Sequence, residues 1–345
     1  MERNLAADLL KGFAILFMIQ VHILELFSTQ EIYESFYGSI LLFLGGPPAA
    51  PVFMIVMGYY ISQGNNNYRD TLMRGAKLIG LGMLLNIGLN FHLFIRIFTG
   101  EIVASPWPYL FGVDILFLAG LSIIFLGVIR SFFGKNPLLY FLLILAIFFI
   151  GNFIPAKVET TSTIYFTSFF YGNSWWSYFP IIPWLAYPLT GLLFQIIEPR
   201  LIRININNYY YWGIISLSGV ILFVTINYGI MVASDLHNYY HHDYMYFLFI
   251  SNFMIFWTGI MKLISKLPNN PIIRYFQWMG KNVTIFYVIQ WLIIGNIATA
   301  LYKTQNAIES VFWLIGITIS TSLITYIWNK FVNNNNVQNK SIILK

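Results

Sequence analysis

A single histidine interrupts the apolar run that opens the chain. In Arg3–His22, RNLAADLLKGFAILFMIQVH, charge at Arg3, Asp8 and Lys11 gives way at Gly12, and His22 stands about two-thirds of the way through the apolar run that continues to Phe27. A charged side chain at membrane depth costs about 2.5–3.5 kcal/mol, a neutral imidazole less, so such a residue marks function or a partner. His22 could serve as a general base or a nucleophile, and Glu25, about one turn later, could hold a ring N–H. The plainer readings are a packed, hydrogen-bonded helix histidine and a glutamate that has reached interfacial water. Further on, Asn86 pairs with Asn90 and His92 with Arg96 at i, i+4 spacing, and Asp114 needs a partner, Arg96 or His92 being nearest by depth. That pair could orient a substrate or pin the bundle. Trp184, Tyr187, Asn252 and Gln290 fall near the same layer. DLHNYYHHD (235–243) sets His237 and His241 at H-x3-H spacing, which zinc can use, but no HExxH glutamate accompanies them and no metal is expected. Arg3, Lys11, Arg69, Arg74 and Lys77 could hold a phosphorylated donor or simply face lipid phosphates.

The elements that must position these groups are membrane helices. With 345 residues, 9% charged and 58% hydrophobic, and a mean hydropathy of +0.69, the chain reads as an all-α integral membrane protein. Apolar runs of membrane length fall at 9–27, 45–62, 72–96, 110–130, 137–154, 179–197, 210–233, 245–265, 281–302 and 309–331, which predicts ten transmembrane helices. The first is expected to be retained, since an acidic residue lies beside its basic ones and no small-x-small cleavage site follows. With the N-terminus inside, all but Arg96, Lys157 and Lys303 of the 19 lysines and arginines fall at cytoplasmic ends, so both termini are expected in the cytoplasm. The net charge of +6 is then a topology signal, and no nucleic-acid partner is expected. Zero cysteine excludes disulfides and thiol chemistry. Residues 1–332 read as a single domain and 333–345 as an asparagine-rich cytoplasmic tail, expected to be disordered.

Proline adds a second asymmetry. GGPPAAP (45–51), PWP (106–108) and FPIIPW (179–184) all fall at outer ends of spans. Broken backbone at membrane depth is tolerated where it lines a protected cavity, so a cavity is expected in the outer half. His22 belongs to that half, about 20 Å above the start of its span at 1.5 Å per residue.

At this point the motifs resemble a family. DLLKGFAILFMIQVH, with Asp8, Lys11, Gly12 and His22, is similar to the first-span signature of the acyltransferase-3 group and of the related bacterial heparan-α-glucosaminide N-acetyltransferase-like proteins. APVFMIVMGYYIS (50–62), FGVDILFLAGLSII (111–124), SYFPIIPWLAYPLTGLLF (177–194) and WMGKNVTIFYVIQWLII (278–294) resemble later motifs in the family's order. The resemblance implies transfer of an acyl group, commonly acetyl from cytoplasmic acetyl-CoA, to a hydroxyl or amine of an extracytoplasmic carbohydrate or lipid-linked acceptor, in a bacterial cytoplasmic membrane. It implies catalytic roles for His22 as base and Asp114, with Asp114 or Glu25 fixing the imidazole tautomer. Glu25, Asn90, His92, Arg96, Trp184, Tyr187 and Gln290 would meet the acceptor, and Arg3, Lys11, Arg74 and Lys77 the donor phosphates. Three departures stand out: Lys11 replaces the usual arginine, Gln290 stands where many relatives have histidine, and residues 28–44 lack the loop histidine of the animal heparan enzymes, which leaves the base role to His22. The rival class is a transporter or flippase of a lipid-linked or aromatic solute. Broken helices beside a polar layer suit transport too, but transporters are commonly built from paired repeats about a midplane site, and no self-similar halves are found.

Overall fold

Asn4 starts the first helix, its side-chain oxygen accepting from the Ala7 N–H at 3.1 Å, and α1 then runs Leu5–Leu26. The computed structural model describes residues 4–61, 67–153, 163–172, 174–203, 208–267 and 270–343. After α1 come α2 (Phe36–Gly45), α3 (Ala50–Ile61), α4 (Tyr68–Leu89), α5 (Phe91–Phe98), α6 (Ile115–Phe133) and α7 (Pro137–Gly151). A short helix, Ile181–Trp184, leads into α8 (Ala186–Arg203), followed by α9 (Asn208–Ser234), α10 (Tyr244–Ile264), α11 (Pro271–Lys281), α12 (Val283–Leu301) and α13 (Ala307–Ile343). Among the described residues nine helical stretches are long and apolar enough to cross a membrane, and the molecule is an all-α integral membrane protein.

The fifth expected run, 137–154, is represented by α7, a helix of 15 residues. The third run, 72–96, is not one helix. The chain breaks at Asn90, whose side-chain amide turns back to donate to Asn86 O at 3.0 Å and to Tyr109 O at 3.3 Å. The second run, 45–62, begins at a break: Pro47 and Pro48 supply no N–H to a helical ladder, and the turn there divides α3 from α2, a helix that lies in the stretch expected as a loop. The asparagine-rich tail differs from expectation: α13 continues through it to Ile343, since extending a formed helix needs no new nucleus.

Helix α1 is the centre of the bundle, packed by α2, α3, α10, α11, α12 and α13. Leu9, Ala14, Ile15 and Ile19 on it are wholly buried. Glycine permits its closest crossing: a Cβ on Gly12 would stand 2.0 Å from Phe276 O, and one on Gly280 1.9 Å from Asp8 O. Small residues that let backbones touch are the usual means by which membrane helices gain packing without a hydrophobic drive between them. The crossing fixes the α1–α11 register, and with it the height of His22, ten residues or nearly three turns beyond Gly12.

Candidate functional site

The breaks open a cavity of about 610 Å³, lined by His22 and Glu25 of α1, the 45–50 turn, Asn86, Asn90, Asp114, Tyr178, Tyr239, Tyr240, Tyr287 and Trp291 among others. On α1 the lining runs from Met18 to Leu26. Asp114 precedes the first residue of α6. Its neighbour Val113 donates to Trp176 O at 2.7 Å and accepts from the Phe179 N–H at 3.0 Å, so one short bridge sets Asp114 and Tyr178 on the same wall. Asn86 secures that wall by donating to Leu110 O and Gly112 O, both at 2.9 Å.

His22 packs its ring against Trp291, centroids 3.9 Å apart, and its Nδ1 meets the Gln290 amide nitrogen at 3.4 Å. Among the described residues no hydrogen bond engages its Nε2, and His22 lines the cavity. An indole beside an imidazole holds the ring plane and favours the cation formed when the ring takes a proton. Neither Asp114 nor Glu25 bonds the imidazole. The expected tautomer partner is thus displaced by Gln290, because α12 brings an amide to Nδ1 while Asp114 is taken by the Tyr287 hydroxyl, which donates to its Oδ1. Both members of that pair line the cavity.

Tyrosines make up much of the remaining wall. Burial first, and then the nearby Glu25 carboxylate, push the Tyr178, Tyr239 and Tyr240 hydroxyls up, so they stay protonated and able to donate. Lys303, whose backbone N–H donates to Leu26 O at 3.0 Å, is lowered by burial while Glu25 opposes that shift. The arrangement offers a base, two carboxylates and a hydroxyl-rich surface in one enclosure, the equipment for moving a proton beside a polar, hydrogen-bonding substrate.

Other expected site residues lie behind the wall. His92 donates from its backbone to Asn296 Oδ1 at 3.0 Å and from Nδ1–H to Asn296 O at 3.1 Å. Arg96 donates to Thr299 O at 3.1 Å and to Glu101 at 3.0 Å. The break at Asn90 swings α5 against α12, which is why neither reaches Asp114. Trp184 and Tyr187 are wholly buried: the indole N–H donates to Tyr240 O at 2.8 Å, and the phenol meets His242 Nε2 at 2.8 Å. Since His242 Nδ1–H donates to Tyr239 O at 2.8 Å, Nε2 accepts from Tyr187 and the ring is neutral. The DLHNYYHHD segment is therefore a scaffold that presents Tyr239 and Tyr240. His237 and His241 pack ring to ring at 5.2 Å, and no cluster of three His, Asp or Glu suited to a metal occurs among the described residues.

At the opposite end, Arg3 lies outside the described residues. Lys11 pairs with Asp8 at 3.1 Å, while Arg74 and Lys77 are exposed and away from the cavity lining. Sequence reasoning missed Tyr178, Tyr239, Tyr240, Tyr287 and Trp291. A signal existed for one of them, since Tyr287 precedes Gln290 by three residues and so shares its side of a helix.

No curated protein and no solved structure matches the chain. A family model, by contrast, covers α1 with His22, the helix break at 45–50, Asp114 and the tyrosine-bearing bridge as far as α8. On that match, over residues 3–205 and the heparan-alpha-glucosaminide N-acetyltransferase catalytic model, the chain belongs to that family of transmembrane acyltransferases.

Proposed function

We propose that this membrane acetyltransferase moves an acetyl or other short acyl group from cytoplasmic acyl-CoA to a hydroxyl or amine of an extracytoplasmic glycan or lipid-linked acceptor. The setting is a bacterial cytoplasmic membrane, with residues 1–332 as one catalytic domain, residues 333–345 as its tail and both ends in the cytoplasm. The observation that carries the reading is the shared cavity of His22 and Asp114, with the imidazole held by Trp291 and one ring nitrogen free.

In this mechanism the acceptor oxygen or nitrogen attacks the thioester carbonyl while His22 Nε2 takes its proton. The tetrahedral intermediate collapses with loss of the C–S bond, and the imidazolium returns the proton to the leaving thiolate, giving acylated acceptor and free CoA. The tyrosine hydroxyls and Glu25 orient the acceptor, and Asp114, held by Tyr287, steadies the imidazolium through the field of its charge. Lys11, Arg74, Lys77 and Arg3 attract the donor's phosphates at the cytoplasmic mouth, leaving the thin pantetheine arm to reach inward. Lys11 lies 11 residues before His22, about 16 Å along the helix axis. Purified protein with radiolabelled acetyl-CoA tests the reading. Wild type is expected to turn over or hydrolyse the thioester, and His22→Ala to lose about 10²–10⁴ of that rate. Absence of donor binding by both proteins would overturn it.

A further inference from the structure

Gln290 is wholly buried behind the imidazole, and its Oε1 has no donor. An amide nitrogen can only donate, so with Gln290 Nε2 facing it at 3.4 Å, Nδ1 of His22 is the acceptor and the ring proton sits on Nε2, toward the cavity. In this state the imidazole offers the cavity an N–H. It can polarise an acyl carbonyl but cannot take a proton there. Turning the amide end over end reverses the arrangement: Oε1 then accepts from Nδ1–H, and Nε2 shows the cavity a lone pair. Each orientation makes one bond to His22, so a reversal costs no bond to the ring, and the orientation found, with the amide N–H toward Nδ1, sets the resting state. A carboxylate at this position could only accept. A glutamine can hold either tautomer, while Trp291 packs on the ring and keeps its plane.

We propose that Gln290 is a positioning residue that selects which nitrogen of His22 carries the proton, and with it whether the imidazole meets the cavity as a hydrogen-bond donor or as a base. The catalytic consequence rests on the acyl-transfer reading, but the tautomer can be measured without turnover. Protein labelled with ¹⁵N-histidine, in detergent micelles, reports it directly, because protonated and bare ring nitrogens differ strongly in chemical shift. The His22 signals are assigned by their loss in His22→Ala. The resting wild type is expected as the Nε2–H tautomer and Gln290→Glu as the Nδ1–H tautomer. A wild type already in the Nδ1–H form, or a Gln290→Glu protein still in the Nε2–H form, would overturn the proposal.

Kinetics supply a second reading, useful where Gln290→Glu does not fold. Gln290→Met keeps the volume and removes the hydrogen bond. It is expected to lower kcat about 10–100-fold, the range typical of groups that orient another residue, with the KM for acetyl-CoA unchanged. Gln290→His, able both to donate and to accept, is expected to restore most of the rate. A Gln290→Met enzyme within twofold of wild type would also overturn the proposal. Inactive wild type with the expected tautomer shift would leave the role of Gln290 standing and remove the acyl-transfer reading alone.

Discussion

On α1 the residues flanking His22, Val21, Ile23 and Leu24, are apolar, and its ring is held by what α12 brings to it. Tyr287, Gln290 and Trp291 lie within five residues of one another, and they reach Asp114, the Nδ1 edge and the ring face respectively. The Tyr287–Asp114 contact holds the carboxylate on the cavity wall. A hydrogen bond to a charged group contributes about 1.5–3 kcal/mol. If the bond acts in the transition state, Tyr287→Phe should lower kcat/KM about 10–100-fold. A phenyl ring fills the same space, so the melting temperature should change by only a few degrees. Turnover measured beside thermal unfolding separates the two effects, and an unchanged kcat/KM would remove Asp114 from the mechanism.

Whole elements reach this geometry through a few contacts between backbones. Gly12 lets α1 and α11 touch, and an added Cβ there meets a carbonyl oxygen rather than a side chain that could swing away. Gly12→Ala should therefore cost about 1–3 kcal/mol. Gly80→Ala, where nothing lies within 4 Å, should be neutral or stabilising, and thermal unfolding in detergent compares them. The 235–243 loop carries a pH dependence of known sign. Burial lowers His242 from 6.5 to about 4, against opposing contributions from its bond to Tyr239 and from Asp243. Between those values the unfolded chain binds a proton that the folded one refuses, so stability is full above about pH 6.5 and falls as pH drops toward 4. The loss should be on the order of 3 kcal/mol. His242→Phe should flatten the part of the acid-side slope that belongs to this residue, and an unchanged slope in urea titrations would refute the assignment. The sequence displayed some of this and hid the rest for physical reasons. Apolar runs and prolines are local, so helices and their breaks at 46–49 could be read directly. Asn90 could not, because an asparagine ends a helix only where a carbonyl such as Tyr109 O waits for it. The partners of His22 and Asp114 lie 268 and 173 residues away along the chain, and no local pattern pairs groups across such distances.

At the scale of the whole molecule the question is whether α7 crosses the membrane, since that decides between nine spans and ten. At 15 residues it is about 22 Å long, short of a hydrocarbon core of about 30 Å. Local thinning of the bilayer can meet such a deficit at modest cost. Two arguments favour crossing. Helix α6 leaves the cavity at Ile115 and ends at Phe133, yet by Trp176 the chain is back beside Val113, so residues 134–175 must return through the thickness of the bundle. Among the described residues of that return, α7 is the one helix longer than a single turn. Leu138, Phe141, Leu145 and Phe149 are exposed along it, as a lipid-facing side would be, while Tyr140, Ile144, Ile147 and Phe148 are buried. Charge gives the second argument. Without the crossing, Arg200, Lys262, Lys266, Arg274, Lys281 and Lys330 would all move to the outer side and cancel the asymmetry set by Arg3, Lys11, Arg69, Arg74 and Lys77. Because the chain holds no cysteine, single substitutions can report the answer. In intact cells a membrane-impermeant maleimide should label Asn152→Cys and Asn238→Cys but reach Lys135→Cys only after permeabilisation. If α7 instead dips and returns, Asn152→Cys will be protected like Lys135→Cys. Asn238→Cys will then be protected too, and the cavity tyrosines beside it would lie on the opposite side of the membrane from the end of α1 that carries His22, an arrangement their shared cavity forbids.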